Sequence, residues 1–295
     1  MDLGMVGLGR MGFNMVARLR EGGHTVVGFD VNPQNSEVES LAALRDALPA
    51  PRNVWVMVPA GKPTKETIAQ LAEVLEPGDV VIEGGNSRFS DDRPNADLLA
   101  EKGIDYVDVG VSGGVWGREN GYAMMAGGEK DVVERLMPIF DALRPEGPRE
   151  ESFVHAGSVG AGHYSKMVHN GIEYAIMQAY AEGYELLTTQ DELVPDVPAV
   201  FEAWQRGTVV RSWLLDLMVR ALKQDPELYA IEGYASDSGE GRWTVEEGIR
   251  NAVPLHTIAA SLFARFESRQ EESPAMKAIA ALRQQFGGHA VKPAD

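Results

Sequence analysis

One segment of the chain carries four polar side chains at helical spacing, and their types are suited to acid–base chemistry. Lys166, His169, Asn170 and Glu173 stand at i, i+3, i+4 and i+7, on one face of a predicted helix. The flanking residues are apolar, and a polar stripe on a buried helix costs free energy unless it contacts a ligand. An amine near a carboxylate suits proton transfer in both directions. The alternative is a solvated helix face with an ordinary lysine–carboxylate pair.

A glycine-rich loop near the N-terminus indicates a nucleotide site. It consists of Gly7, Leu8, Gly9, Arg10, Met11 and Gly12. The loop follows an apolar predicted strand and opens a predicted helix, a context that argues against a chance glycine-rich turn. Glycines here permit a tight turn and close approach of the backbone to a pyrophosphate. The N–H groups at the helix start then favour the phosphates, so the loop predicts a dinucleotide ligand.

A carboxylate at the end of the second predicted strand indicates which dinucleotide binds. Asp30 can accept hydrogen bonds from both adenosine ribose hydroxyls, and it would repel a 2′-phosphate. The residues that follow, Val-Asn-Pro-Gln-Asn, include no arginine or lysine. The sequence therefore predicts NAD rather than NADP, unless Asp30 is only a solvated turn residue. The turn after the third strand, with Val58, Pro59 and Ala60, is predicted to lie against the cofactor.

Short β-rich runs that alternate with amphipathic segments must position these groups. The runs lie at 3–7, 25–30, 54–58, 80–83, 106–109 and near 122–126, and the helical segments include 131–143. The alternation predicts an α/β Rossmann-like domain over 1–162, with a mostly parallel sheet and helices on both faces. After Gly162 the strand signals stop, and helical patterns predict an all-α substrate and dimerisation domain over 163–295.

Two turns at the carboxyl ends of predicted strands carry further polar groups. They read Glu83-Gly84-Gly85-Asn86-Ser87 and Val111-Ser112-Gly113-Gly114-Val115. Ligands of open α/β sheets bind at that edge. We therefore expect these turns and the lysine helix to form one site.

Composition excludes several classes of function. The formal net charge is −17, which argues against nucleic acid or an anionic membrane as partner. An anionic ligand would need a locally basic pocket. The chain has no cysteine, which excludes disulfides and thiolate chemistry and fits a cytoplasmic protein. We also expect no signal peptide, no membrane span and no metal, since no convincing cluster of metal ligands stands out.

Three segments together resemble the decarboxylating 6-phosphogluconate dehydrogenases. They are Gly-Gly-Asn-Ser from residue 84, Val-Ser-Gly-Gly from residue 111 and Lys-Met-Val-His-Asn-Gly-Ile-Glu-Tyr from residue 166. The resemblance covers the whole chain and is to the shorter, NAD-preferring members. It implies oxidation of 6-phosphogluconate at C3 and loss of C1 as CO2, giving ribulose 5-phosphate in the pentose phosphate pathway.

The resemblance also implies roles for two groups on the lysine helix. Lys166 matches the general base that takes the 3-hydroxyl proton while hydride leaves C3 for the nicotinamide. Glu173 matches the acid that protonates C1 of the enediol. A base-competent amine near neutral pH requires a lysine pKa lowered from about 10.4 toward roughly 7–8. Because the keto group β to the carboxylate is the electron sink, no metal is required.

Other positions match family residues that hold the substrate. Those implied for its carboxylate and hydroxyls are Asn86, Ser112, Gly113, Gly114, His169 and Asn170, and Asn86 is also expected to contact the cofactor. Tyr174 and Arg265 match contacts to the phosphate. Near the C-terminus, Arg283 and His289 match residues that enter the partner subunit's site. The resemblance therefore implies a homodimer or homotetramer whose C-terminal tail reaches the partner's active site.

One stretch departs from the longer members of the family. Ser238 and Glu240 stand where those members carry lysine and threonine as phosphate ligands. A carboxylate at close range disfavours a phosphate dianion. Either the loop turns away or an arginine offsets the charge, and these two contacts are not carried over.

Two other functions stay open at this point. A β-hydroxyacid dehydrogenase for a small unphosphorylated acid, or an imine reductase, would also use a lysine helix. Neither is expected to show the continuation from His169 to Tyr174 or the C-terminal arrangement of Arg283 and His289. A non-catalytic NAD-binding sensor is the alternative from another class, and the intact pair of Lys166 and Glu173 argues against it.

Overall fold

A computed structural model describes residues 1–287 and 290–292 of the chain. The chain divides into two units, Met1–His169 and Asn170–Asp295. This division lies C-terminal to the domain boundary predicted at Gly162. In the described residues, no helix combines the length and the apolar character needed to cross a bilayer.

The first unit is built on one sheet, with seven strands in its described residues. They are β1 Asp2–Val6, β2 Thr25–Phe29, β3 Asn53–Val56, β4 Val80–Glu83, β5 Asp105–Ser112, β6 Ala123–Gly128 and β7 Phe153–Gly157. The strand order is β2-β1-β3-β4-β5-β6-β7. Neighbours run parallel except for the antiparallel pair β5 and β6. The predicted mostly parallel sheet is confirmed.

Strand β7 is absent from the sequence prediction. It pairs in parallel with β6, with Phe153 opposite Met124. Its residues alternate between half-buried and exposed, because β7 is an edge strand. By contrast, β3 and β4 are buried at every position. Fully buried strands give the continuous apolar runs that a sequence reveals, whereas an edge strand does not.

Helices cover both faces of the sheet. Those of the first unit are α1 Arg10–Glu21, α2 Leu41–Asp46, α3 Lys62–Val74, α4 Asp92–Ala100, α5 Gly117–Asn120, α6 Lys130–Arg135 and α7 Met137–Leu143. One apolar cluster packs Met5 of β1 against Met15 of α1. Another, on the opposite face, packs Val6 of β1 against Ile68 of α3. The sequence pattern predicted one helix over 131–143, but Pro138 interrupts it, since proline clashes with the preceding turn.

The remaining elements are helical. They are α8 Ala161–Thr188, α9 Val197–Trp204, α10 Trp213–Gln224, α11 Glu240–Arg250, α12 His256–Glu267 and α13 Pro274–Gly287. No strand occurs among the described residues of the second unit, which confirms the all-α prediction. Its main apolar cluster packs Phe201 of α9 against Leu215 and Val219 of α10. Helix α10 begins where the Ser212 hydroxyl caps the backbone N–H of Leu215.

Candidate active site

The glycine-rich loop connects β1 to α1 by a close turn. Gly7 has φ +95°, and its N–H donates to the Phe29 carbonyl at the end of β2 (2.8 Å). A Cβ on Gly7 would lie 2.6 Å from the Met57 carbonyl oxygen, and one on Gly12 would overlap the Gly7 carbonyl. Helix α1 starts with Gly9 as its N-cap, which has no side chain to cap the first N–H groups. The loop therefore has the backbone form that a pyrophosphate requires.

Asp30 ties the end of β2 to this loop. Its Oδ2 accepts a hydrogen bond from the Leu8 N–H (2.7 Å), and its Oδ1 accepts one from the Asn32 N–H (2.8 Å). An ionised carboxylate has about four acceptor positions, so two bonds leave capacity for ribose hydroxyls. The location fits the predicted ribose contact.

The turns after β3 and β4 lie side by side. A Cβ on Gly85 would lie 3.1 Å from the Val58 carbonyl oxygen. Pro59 and Ala60 are exposed in the first turn, and Asn86 is exposed in the second. The structure therefore brings the predicted cofactor turn next to Asn86, at the carboxyl edge of the sheet.

Lys166 lies along β5 in the first unit. Its Nζ donates to the Val111 carbonyl, next to the Ser112-Gly113-Gly114 turn. A Cβ on Gly110 would lie 2.8 Å from the Gly162 carbonyl oxygen and would overlap the Lys166 side chain. Because α8 packs directly on β5, the half-buried Lys166 amine reaches the end of that strand.

A group of buried ionisable side chains lies beneath the start of α8, and the sequence analysis missed it. We call Glu83, Asp92, Asp108 and His163 the buried acid cluster, and none of the four is more than 1% exposed. His163 Nδ1 lies 2.9 Å from each Asp92 oxygen, and its Nε2 lies 3.5 Å from Glu83 Oε2. Asp108 accepts from the backbone N–H groups of Gly160 (2.7 Å) and His163 (2.9 Å). The sequence signal was that Glu83 ends the apolar strand β4 and Asp108 interrupts β5, whereas Asp92 and His163 lie on helices.

Burial and charge act against each other in the buried acid cluster. Burial lowers the pKa of His163, but the facing carboxylates of Asp92, Glu83 and Asp108 overcome it and raise that pKa to about 10. Burial also raises the pKa of Glu83 and of Asp108, and the charge of Asp92 adds to both shifts. Within the described residues, Glu83, Asp92 and His163 have ligand atoms within 4.8 Å of one another, a separation that a metal ion would also need. The 2.9 Å contacts of His163 with Asp92 are those of a charge-assisted N–H···O bond.

In the second unit the structure brings together Tyr174 and Arg265, the residues predicted to bind phosphate. The Arg265 guanidinium carbon lies 3.5 Å from the centre of the Tyr174 ring. Arg265 also donates to the Ser236 carbonyl (3.0 Å), and the Ser238 N–H donates to the Tyr174 hydroxyl (3.1 Å). These contacts orient Arg265 and Tyr174 relative to the 236–238 loop.

Further arginines lie in the same region. Asp237 accepts two hydrogen bonds from Arg242 (2.8 and 2.9 Å) and one from Arg269 (3.2 Å). The bonds to Arg242 lower the pKa of Asp237 to about 2. We call Arg242, Arg265 and Arg269, with Asp237, the arginine patch. Its arginines outnumber its carboxylate, so the acidic chain does contain a locally basic region.

Glu240, the departure noted in the sequence, does not lie on this surface. It is 1% exposed and is the first residue of α11, after Gly239 with φ +94°. A carboxylate in the first turn of a helix is favoured by the helix dipole. Its burial removes the side chain from the solvent side of the 236–238 loop.

The other predicted substrate residues differ in exposure. On α8, His169 is exposed, whereas Asn170 and Glu173 are half-buried. Arg283 is exposed on α13, and His289 lies outside the described residues. The predicted subunit-crossing role of these last two stays a prediction.

Two family models match the chain over nearly its full length. The NAD binding domain of 6-phosphogluconate dehydrogenase matches residues 2–146, and the 6-phosphogluconate dehydrogenase C-terminal domain matches residues 162–293. An NAD(+)-dependent, decarboxylating 6-phosphogluconate dehydrogenase of Haloferax volcanii is 38% identical, with 100% of both chains covered. The Bacillus subtilis protein of the same name is 36% identical over 92% of this chain and 62% of its own length.

Solved structures show the same fold. Plasmodium falciparum 6-phosphogluconate dehydrogenase superposes with a TM-score of 0.83 at 26% identity, covering 100% of this chain and 67% of that one. A 3-hydroxyisobutyrate dehydrogenase of Mycobacterium tuberculosis, at 20% identity, has a TM-score of 0.72 over 96% of this chain and 99% of that one. The second likeness is one of fold alone.

Proposed function

The chain belongs to the 6-phosphogluconate dehydrogenase family, and we propose that it oxidises 6-phosphogluconate with NAD and releases C1 as CO2. The product is ribulose 5-phosphate. The observation that carries the proposal is the contact of Lys166 with Val111, which puts an amine at the edge of the sheet where Asn86 and Ser112 also stand. The pentose phosphate pathway and the cytoplasmic location expected from the sequence stay predictions.

NAD is the proposed cofactor, and it supplies the hydride acceptor when bound. A Cβ on Gly12 would overlap the Gly7 carbonyl, so α1 packs closely on the loop, whereas a Cβ on Gly9 would meet open space in which a pyrophosphate can approach the backbone. Asp30, oriented by Leu8, would accept the ribose hydroxyls and repel the 2′-phosphate of NADP. The names of the Haloferax and Bacillus relatives support the same choice.

The proposed chemistry uses one base and one acid from α8. Lys166 takes the proton of the 3-hydroxyl while the C3 hydride leaves, so two electrons pass to the nicotinamide. The resulting ammonium donates a hydrogen bond to the 3-keto oxygen. When the C1–C2 bond breaks, its electron pair moves into a C2–C3 enediolate, which the Lys166 ammonium stabilises, and C1 leaves as CO2. Glu173 then protonates the carbon that carried C1, which restores a ketone.

The arginine patch is the proposed phosphate end of the site. Arg265 presents a planar guanidinium, which suits bidentate binding of phosphate oxygens. The Tyr174 ring supports that guanidinium, and Ser238 stands beside the Tyr174 hydroxyl. We propose Arg265 and Tyr174 as phosphate ligands, with Arg269 adding positive charge.

A second copy of the chain is proposed to complete each site. The second unit exposes a set of large apolar side chains, namely Ile172, Ile249, Phe263, Met276, Ile279 and Leu282. An interface between copies of the chain would cover side chains of this kind. Light scattering should give the mass of two or four chains, and a single chain would contradict the proposal.

Subunit mixing tests whether Arg283 serves the partner's site. Lys166→Ala and Arg283→Ala variants are each expected to be nearly inactive. Unfolded together and refolded, they should regain activity, because a mixed dimer has one site with both wild-type residues. No regain would mean that Arg283 serves its own subunit or neither.

Product analysis tests the proposed reaction. With 6-phosphogluconate and NAD, the purified protein should release NADH and CO2 in equal amounts, and kcat/KM should be higher with NAD than with NADP. NADH without CO2 would favour the β-hydroxyacid dehydrogenase, and neither product would favour the sensor.

A further inference from the structure

The buried acid cluster lies directly below the first turn of α8, the helix that carries Lys166. Glu83 comes from the end of β4, Asp92 from α4, and Asp108 from β5. The Tyr106 hydroxyl of β5 donates to Asp92 Oδ1 (2.8 Å), and the charges of Asp92, Glu83 and Asp108 act on His163.

His163 contacts this cluster through both its ring and its backbone. The ring faces Asp92 and Glu83, while the backbone N–H donates to Asp108 Oδ2 (2.9 Å). Asp108 Oδ1 also accepts from the Gly160 N–H (2.7 Å), so Asp108 caps the start of the helix. The first turn of α8 is therefore attached to β4, α4 and β5 at once.

Close backbone packing transmits any shift of this turn to Lys166. A Cβ on Gly162 would lie 2.7 Å from the Asp108 carbonyl oxygen, and one on Gly110 would overlap Lys166. Helix and strand therefore touch without intervening side chains, leaving no flexible layer to absorb a displacement. Lys166 stands one turn after His163 and donates to Val111, on the same strand as Asp108.

The carboxylates of the buried acid cluster need a positive charge near them. Buried carboxylates are costly unless they are paired or protonated. Burial disfavours a charged His163, but the carboxylates raise its pKa to about 10, and burial raises the pKa of Glu83. At neutral pH the imidazole is then cationic, and it is the positive charge within the cluster.

We propose that His163 is a positioning residue for Lys166: its imidazolium fixes the first turn of α8 on the sheet and offsets the buried acids. The proposal rests on the proposed role of Lys166 as the base. Without the imidazolium, the acids would be left in excess one helical turn from the amine. A nearby negative charge favours a protonated amine, so Lys166 would lose its proton at higher pH.

The charge of His163 can be measured without any turnover. The chain has 6 histidines, so ¹⁵N-histidine NMR should resolve their rings, with His163 assigned by its loss in H163Q. If that variant does not fold, substituting the other histidines singly assigns His163 by elimination. We expect both His163 nitrogens to carry protons from pH 6 to pH 9. A neutral ring at pH 7 would overturn the proposal.

Kinetics then separate positioning from simple support of the fold. H163Q should lower kcat at least tenfold and move the acid limb of the kcat/KM profile upward by half a pH unit or more. KM for NAD should stay within threefold. The charge-balanced variant H163Q/D92N should return the limb toward its wild-type position, because it removes one charge of each sign.

His155→Gln is the matched control. His155 lies in the same unit, and its Nε2 contacts the Gly128 carbonyl (2.8 Å). H155Q should keep the wild-type profile. If H163Q folds and the acid limb of its kcat/KM profile does not shift, the electrostatic role of His163 is overturned, whatever the kcat of the variant. A wild-type enzyme inactive on 6-phosphogluconate would instead count against the proposed function, and the NMR result would still decide the charge of His163.

Discussion

The two units each hold a cluster of opposite charges, and the clusters shift acid pKa values in opposite directions. In the buried acid cluster, burial raises the pKa of Glu83 and Asp108. In the arginine patch, hydrogen bonds from Arg242 lower the pKa of Asp237 to about 2. The Asp237 side chain is itself only 4% exposed, so low exposure alone does not set the direction of the pKa shift. What differs is the partner: several carboxylates face one imidazole in the first cluster, whereas arginines surround one carboxylate in the second.

This difference matches the proposed roles of the two clusters, which are to position Lys166 and to bind the substrate phosphate. A cluster whose cation is held between strands and helices fixes the position of a catalytic amine. A cluster with more arginines than carboxylates can accept an anionic ligand. The first should therefore act on kcat and the second on KM.

Lys166→Ala should have the largest effect. Removing a general base costs about 10²- to 10⁴-fold in rate, and the same residue is proposed to polarise the 3-keto group. NAD binding should persist, because the glycine loop and Asp30 are untouched. Steady-state NADH formation and NAD titration by fluorescence would measure the two effects.

Lys130→Ala is the control, since the Lys130 side chain is 73% exposed on α6, where it pairs with Glu134. It should behave as wild type. Full turnover by Lys166→Ala would refute the assignment of Lys166 as base. It would also refute the contrast between a cluster that acts on kcat and one that acts on KM.

Arg265→Ala should mainly raise KM for 6-phosphogluconate. Hydrogen bonds to charged groups contribute about 1.5–3 kcal/mol, which corresponds to roughly 10- to 150-fold. Arg250→Ala is the control, because Arg250 is 63% exposed on α11 and pairs with Glu247. A fall in kcat with KM unchanged would place Arg265 in the chemical step and contradict the proposed roles of the two clusters.

The clusters should lose stability at opposite ends of the pH scale. The pKa of His163 is raised from 6.5 to about 10, so its contribution is complete below pH 6.5 and is lost as pH rises through about 10. The pKa of Asp237 is lowered from 3.8 to about 2, so its contribution is present above pH 3.8 and is lost as pH falls through about 2. Urea unfolding should therefore show the H163Q deficit shrinking toward alkaline pH, and the Asp237→Asn deficit shrinking toward acid pH.

A second aspartate with two arginine partners provides a comparison for Asp237. Asp141 also accepts hydrogen bonds from two arginines, Arg144 and Arg149, but it is 32% exposed. Exposed ion pairs contribute only about 0–1 kcal/mol. Asp141→Asn should cost less stability than Asp237→Asn, and equal costs would show that low exposure of Asp237 adds nothing.

Removal of metal should have the smallest effect. The proposed reaction uses the β-keto group as electron sink, so EDTA treatment should leave kcat unchanged. The spacing of Glu83, Asp92 and His163 makes this a useful test. Activity that is lost with EDTA and restored by a divalent ion would indicate a metal in the cluster and contradict the imidazolium assignment.

Features encoded by local spacing could be predicted from the sequence. The glycine loop, the lysine helix and the parallel sheet depend on neighbouring residues, and the sheet and the helical second unit are confirmed. Predicted elements failed where tertiary context intervened. Strand β7 is defined by its pairing with β6, and the helix over 131–143 is split before Pro138.

The sequence by itself determined that the chain carries a dinucleotide loop, an amine and a carboxylate on one helix, and the motifs of its family. Only the tertiary structure brought Glu83, Asp92, Asp108 and His163 together, because they come from separate elements. It also placed Arg269 beside Asp237 and buried Glu240. Local spacing sets which side chains share a helix face, whereas burial and charge pairing depend on contacts between segments far apart in the chain.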